Sequence, residues 1–447
     1  VLSITELRKH IKFYKLLLEV INSVINRLLR FLCITFWADI KIMRKNIIFL
    51  HPDLGVGGAE RLVVDAAMAL KWRGYNVSFV TSYHNNERCF EETKNGNLKV
   101  TVVGEWIPRN IMGRFIALCA YLKMIYCAFY IIFYEKPDLV FCDLISVCIP
   151  ILHLTFKKVI YYCHYPDQLL SKEGGFCKRM YRLPLNWLEE KTTCSADKVY
   201  VNSEFTKKIY NATFTSSPRE PTVLYPSINT KSFDDVGDFE DFLPSELSSD
   251  KFVFLSINRY ERKKHIELAI SAFAHLRERL TADEWDKIFL VIAGGYDPRV
   301  QENIEYYVEL NNIVASHYLK EKILFLKSPS DIDKIKLLKR CNCLIYTPPN
   351  EHFGIVPLEA MYCEKPVIAC NSGGPMETIV NGTTGILCEF SVGEFSDAML
   401  KFILDRNLQS KMGKEGLKRF RAKFSFGAFA EQLSVDVETL LGHVKSS

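Results

Sequence analysis

Two glutamates eight positions apart, Glu351 and Glu359, stand in the stretch YTPPNEHFGIVPLEAMYC. Pro348 and Pro349 break the chain after the strand-like run CNCLIYTP, so Glu351 falls in a loop. IVPLEAMYC has helical character and places Glu359 about one turn inside a helix. The amides of Phe353, Gly354 and Ile355 then form a helix N-terminus, where free N–H groups and the dipole favour a phosphate. A loop acid, anion-binding amides and a helix acid together suit a nucleotide-sugar. The plainer reading, acids placed at a helix start by the macrodipole, explains Glu359 adequately and Glu351 less well.

Two further segments carry phosphate chemistry. NRYERKKH leaves a strand with four bases, Arg259, Arg262, Lys263 and Lys264, where a set of cations can neutralise a departing diphosphate. A solvated charged face is the alternative. HPDLGVGGAE follows a strand and precedes a helix, so Gly55, Gly57 and Gly58 would let backbone N–H groups approach a phosphate. The competing explanation is a tight turn that needs glycine for positive φ. The nicotinamide fingerprint is incomplete, because the next strand ends TSYHNN with no acid for a ribose hydroxyl. His164, in YYCHYPD, ends another strand; a lone strand-end histidine is more often structural than catalytic.

These residues need rigid strands behind them, and the pattern supplies two sets. NIIFLH, YNVSFVTS, DLVFCD, KVIYYCH and KVYVNS alternate with helical segments, which argues for an α/β unit around a parallel sheet. KFVFLSIN opens a second series with KIFLVIAGG, KILFLKS, CNCLIYTP, KPVIACN and GILCE. Two Rossmann-like domains facing across a cleft follow, at 44–225 and 251–447, with ligands expected beyond the carboxyl ends of the strands. Residues 226–250 hold seven acids and one base and predict a linker or exposed loop. The last helix is expected to pack back on the first domain. Residues 1–43 form an N-terminal extension whose 12–38 stretch has helical periodicity, fitting either an amphipathic membrane helix or one packed on the protein. The segment 111–134 is apolar apart from Arg114 and Lys123, and an interfacial membrane insertion or a buried core helix would each account for it.

Composition limits the rest. The chain has 447 residues, 48% hydrophobic, and a net charge of +5. That describes a folded, two-domain protein without the basic excess of a nucleic-acid binder. The 14 cysteines lack paired metal-type spacing and predict free thiols in a reducing compartment. The D-x-D of Asp331 and Asp333 starts a helix and is expected to cap it.

Together these segments resemble the retaining GT-B glycosyltransferases, marked by a glutamate, seven residues and a second glutamate, here EHFGIVPLE. Residues 44 to 435 can be read against that pattern. HPDLGVGGAER, YYCHYPDQLLS, NSEFTKKIY, NRYERKKHIELAI and AGGYDPRVQENIEYY are most similar to the mannosyltransferases of dolichol-linked oligosaccharide assembly. The resemblance implies GDP-mannose as donor and a dolichyl-diphosphate-linked Man-GlcNAc2 acceptor, extended through α-1,3 and α-1,6 links. It also implies the cytosolic face of the endoplasmic-reticulum membrane, with other mannosyltransferases of the pathway as candidate partners. Arg259 and Lys264 match the pair that binds the donor diphosphate, Glu351 the carboxylate facing the donor sugar, and Glu359 the one holding the ribose. His164 matches the histidine contacting the transferred sugar, and Gly57 and Gly58 lie in the loop near the donor phosphate. No cofactor is implied, and no metal is expected to be needed for the chemistry. His265 stands where the family often has glycine. Rival readings are a GT-B enzyme with another lipid or polysaccharide acceptor, or an inactive membrane scaffold; a scaffold would need none of Arg259, Lys264, Glu351 and Glu359.

Overall fold

The computed structural model describes residues 45–94, 96–111, 115–155, 157–171, 175–236 and 251–442. The extension 1–43, including the 12–38 helix expectation, Arg114 and the acidic run 237–250 lie outside the described residues. The first sheet contains β1 (Asn46–His51), β2 (Asn76–Thr81), β3 (Lys99–Val102), β4 (Leu139–Asp143), β5 (Lys158–Cys163), β6 (Lys198–Val201) and β7 (Thr222–Val223). Its strand order is β3-β2-β1-β4-β5-β6-β7, every pair parallel. The second sheet holds β8 (Phe252–Ile257), β9 (Ile288–Gly294), β10 (Ile323–Lys327), β11 (Cys343–Tyr346), β12 (Val367–Cys370) and β13 (Gly385–Cys388), ordered β10-β9-β8-β11-β12-β13. The near-continuous apolar runs follow from this: parallel strands are covered on both faces. In β1, Ile47 and Phe49 pack under the helix Gly58–Trp72, while Ile48 and Leu50 pack under the helix Ile116–Tyr134.

Each sheet reverses its winding once, between β1 and β4 and between β8 and β11. Loops leaving the strands there diverge and open a crevice, which is where this architecture binds ligands. The residues singled out above follow β1, β5, β8 and β11.

The helix Phe426–Leu440 crosses between the domains. Phe429, Ala430, Leu433 and Val437 enter the core of the first domain, and Asp436 accepts hydrogen bonds from Tyr200 Oη (2.6 Å) and Lys198 Nζ (3.1 Å). The described part of the stretch read as a linker, 226–236, also packs: Ile228 and Phe233 lie in the core of the second domain beside the helix Ile355–Tyr362.

Ile116–Tyr134 is long and apolar enough to span a bilayer by length and composition. One face packs on the first sheet through Met124, Cys127, Ala128 and Ile131, while Leu122, Tyr126, Phe129, Phe133 and Tyr134 are exposed. Lys123, one of the two charges in the segment 111–134, is turned inward and only 7% exposed. The described cysteines form no disulfide.

Two backbone features position the loop of Glu351. Gly373 (φ 66°) and Gly374 lie against that loop, and the Gly374 amide donates to the Glu351 carbonyl at 2.7 Å. A Cβ on Gly374 would stand 2.2 Å from the Phe353 carbonyl oxygen, and one on Gly373 2.5 Å from that of Glu351. The glycine pair is therefore a contact surface for the loop. His265 adopts φ 49° and ψ 47°, the left-handed geometry that glycine enters freely, with Nδ1 2.9 Å from Glu267 Oε1. The histidine thus keeps the backbone path a glycine would take.

Two stability predictions follow. Gly374→Ala should lower the unfolding free energy by about 2 kcal/mol through backbone collision. Gly58→Ala, with nothing within 4 Å of the new methyl, should stay within about 0.5 kcal/mol. Urea denaturation midpoints compare them, and equal midpoints would contradict the packing argument. His265→Val should destabilise by about 1 kcal/mol or more and His265→Gly should not, because a β-branched residue tolerates positive φ poorly.

Candidate active site

The basic segment after β8 divides. Arg262 turns to the helix Gln301–Ser316, where its Nη2 meets Glu305 at 3.1 Å and Glu309 at 2.6 Å. Lys263 pairs with Glu261 at 3.0 Å on the surface. The four bases therefore do not act as one cluster. Lys264 alone turns inward, onto the carboxylate of Glu351, and its carbonyl accepts from Thr347 Oγ1 at 2.7 Å. Arg259 leaves the strand with its side chain 63% exposed, touching only Glu261 Oε1 among the described ion pairs, at 3.0 Å. Burial pushes the Glu351 carboxyl upward, but Lys264 outweighs this and holds it below its ordinary range.

Glu351 sits in the loop after β11, and the helix Ile355–Tyr362 starts directly behind Gly354. Phe353 is buried, stacked on Tyr225, so this residue can offer only its backbone to a ligand. Glu359 lies in the same helix, 6% exposed, with Oε1 accepting from Lys334 Nζ at 2.8 Å. Its Oε2 is buried without a hydrogen-bond partner. Burial raises the Glu359 carboxyl, and Lys334 only partly offsets that. Lys334 belongs to the helix Asp331–Arg340; its N-cap is Ser330, which exchanges hydrogen bonds with Asp333, so the D-x-D opens the helix and only its second acid takes part in the cap. Among the described residues no group of three or more His, Cys, Asp or Glu is arranged to hold a metal ion.

In the first domain, the loop after β1 carries Gly55, Gly57 and Gly58. None has positive φ, so the tight-turn explanation fails. Gly57 is extended (φ −169°), and a Cβ there would lie 2.3 Å from Glu60 Oε2. His164 follows β5, with Nε2 3.1 Å from Asp143 Oδ2; Asp143 Oδ1 is 2.6 Å from His51 Nδ1. His51 Nε2 is 3.8 Å from Glu60 Oε1, an ion-pair distance. Burial would lower the His51 pKa, yet Asp143 and Glu60 raise it to about 10. Sequence reasoning missed His51, Asp143, Glu60 and Lys334. The available signal was position: His51 and Asp143 each end a strand beside the winding reversal.

The two halves meet one residue beyond the named ones. Tyr165 stacks on His352, ring centroids 3.8 Å apart and planes 7° from parallel. Ser203 Oγ donates to the His352 carbonyl at 2.5 Å, and Glu377 accepts from the amides of Glu204 and Phe205 at 2.7 Å each. Lys264 and Glu351 are brought together directly, and the loops of Glu351 and His164 adjoin through Tyr165 and His352. Arg259, Glu359 and the glycine loop make no hydrogen bond or ion pair with that pair among the described contacts.

The model of the Glycosyltransferase Family 4 domain matches residues 56–232, and that of Glycosyl transferases group 1 matches 238–419. Among solved structures, the sucrose-phosphate synthase of Thermosynechococcus elongatus aligns with a TM-score of 0.70 at 20% identity, over 90% of this chain and 100% of that one. Anabaena Alr3699/HepE, solved in complex with UDP, aligns with a TM-score of 0.66 at 19% identity, over 88% and 100%. These share the fold, two Rossmann-like domains in the GT-B arrangement. Sequence similarity goes further. The chain is 49% identical to the alpha-1,3/1,6-mannosyltransferase ALG2 of Homo sapiens over 90% of this chain and 97% of that protein. It is 46% identical to the enzyme of the same name in Dictyostelium discoideum, over 88% and 98%. Identity at this level across nearly the whole length of both partners places the chain in the α-1,3/1,6-mannosyltransferase family of GT-B glycosyltransferases.

Proposed function

We propose that the chain transfers mannose from GDP-mannose, with retention of the α configuration, to a dolichyl-diphosphate-linked Man-GlcNAc2 acceptor, forming α-1,3 and α-1,6 links. The observation that carries this reading is the inward pair of Lys264 and Glu351 at the start of the helix Ile355–Tyr362. A donor diphosphate entering there meets Lys264, the exposed guanidinium of Arg259 and the amides of Phe353, Gly354 and Ile355. Glu351 is left facing the sugar, and the unpartnered Glu359 Oε2 supplies a buried acceptor for a ribose hydroxyl. Gly57 and Gly58 close the first-domain side, near the phosphate and acceptor. His164 contacts the transferred sugar.

In the transfer step the acceptor hydroxyl attacks the anomeric carbon on the face from which GDP departs. The bond from that carbon to the phosphate oxygen breaks, the new glycosidic bond forms, and the acceptor proton leaves with the diphosphate. Charge builds on the departing phosphate, where fixed cations and amides stabilise it, so metal is not required. A lipid-anchored acceptor demands access to a bilayer. The exposed rings of Tyr126, Phe129, Phe133 and Tyr134 suit the headgroup level of a membrane, here the cytosolic face of the endoplasmic reticulum.

Purified full-length protein incubated with GDP-mannose and the singly mannosylated lipid acceptor should yield products gaining one and two mannoses. EDTA should leave turnover intact, and Lys264→Met should lower it roughly a hundredfold. Products from UDP-sugars only would overturn the donor assignment, and loss of turnover with chelator the metal-free step. Phe129→Ser with Phe133→Ser should weaken vesicle binding and lipid-acceptor turnover together; unchanged partitioning would refute the membrane contact.

A further inference from the structure

Three side chains at the carboxyl ends of adjacent strands form a unit in the first domain. Its only assigned part is His164. β4 lies between β1 and β5, so the carboxylate at its end, Asp143, reaches the histidines on both sides. Asp143 gives one oxygen to each: Oδ1 to His51 Nδ1 at 2.6 Å and Oδ2 to His164 Nε2 at 3.1 Å. His51 and Asp143 are fully buried, whereas the His164 side chain keeps 20% exposure. Burial alone would neutralise Asp143, but the two histidines hold its carboxyl below the ordinary range. An ionised carboxylate only accepts, so the proton in each contact is on nitrogen. His51 is in turn flanked by Glu60, in the first turn of the helix behind the glycine loop. A cation held between two acids thus fixes the charge of Asp143, and Asp143 fixes the proton of His164.

We propose that His51 and Asp143 are positioning residues for mannosyl transfer, acting through His164. They hold its ring in one orientation with the proton on Nε2, leaving Nδ1 to accept a hydrogen bond from a hydroxyl of the transferred sugar. Among the described residues, Nδ1 of His164 has no protein hydrogen bond. A ring free to flip, or protonated on Nδ1, would offer that hydroxyl a donor instead of an acceptor. The inference rests on the reading that His164 contacts the sugar.

Asp143→Asn keeps the shape but leaves one acceptor oxygen for two imidazole donors. In the full-length protein it should lower kcat roughly tenfold or more, with the donor KM changed by less than about threefold. In a His164→Ala background the same substitution should cost less than about twofold, because its route of action is gone. Equal costs in both backgrounds would overturn the inference while leaving the sugar-contact reading standing. Wild-type turnover of His164→Ala would overturn that reading and the inference with it. A second measurement needs no buried substitution. In 15N-histidine-labelled protein, the resonance lost in His164→Ala should report the Nε2–H form; an Nδ1–H or doubly protonated ring would refute the proposal.

Discussion

The ion pair of Lys264 with Glu351 is the contact around which the cleft is organised. Taking two charges out of water costs about what their attraction returns, so such a pair contributes little to stability. What it does is hold a cation and a carboxylate, from loops after different strands, at one point. The surroundings serve that point. Thr347 fixes the Lys264 carbonyl, Gly374 fixes the Glu351 carbonyl, and the Tyr165–His352 stack ties the same loop to the first domain. Elsewhere in the cleft the same constraint recurs: Glu359 is held by Lys334 and Asp143 by His51, each buried acid with its own cation.

The strands that carry these residues were legible because parallel strands, covered on both faces, read as apolar runs. β3 and β7 were not, since KVTV lies half exposed beyond β2 and TV is only two residues long. The glutamates, Lys264 and the helix start behind Gly354 were visible from local spacing and turn chemistry. Asp143, His51 and Lys334 were not, because their significance lies in contacts spanning 92, 21 and 25 positions in the chain. Charge sorting was equally hidden. NRYERKKH gives four equivalent bases, and only the position of Glu305 and Glu309 on the helix Gln301–Ser316 shows that Arg262 faces away.

Glycine roles illustrate the same limit. Composition suggests positive φ, yet Gly57 is extended and Gly374 is helical in its dihedrals. A side chain on Gly374 would strike the backbone of Phe353, a tertiary fact with no local signature, whereas one on Gly57 would meet only the carboxylate of Glu60 three residues on. His265 is the converse, a side chain accepted in a glycine-like conformation. The apolar helix Ile116–Tyr134 resolves into an inner face that completes the core and an outer aromatic face, with its lysine on the inner side.

The central claim is that a donor diphosphate displaces Glu351 from Lys264. Calorimetric titration of GDP into the wild type, Glu351→Gln and Lys264→Met tests it most directly. Glu351→Gln removes the competitor for Lys264 and should bind GDP at least as tightly as the wild type. Lys264→Met should lose roughly tenfold or more in affinity, as expected for a charge-assisted contact. A loss of GDP affinity in Glu351→Gln as large as that in Lys264→Met would contradict the account.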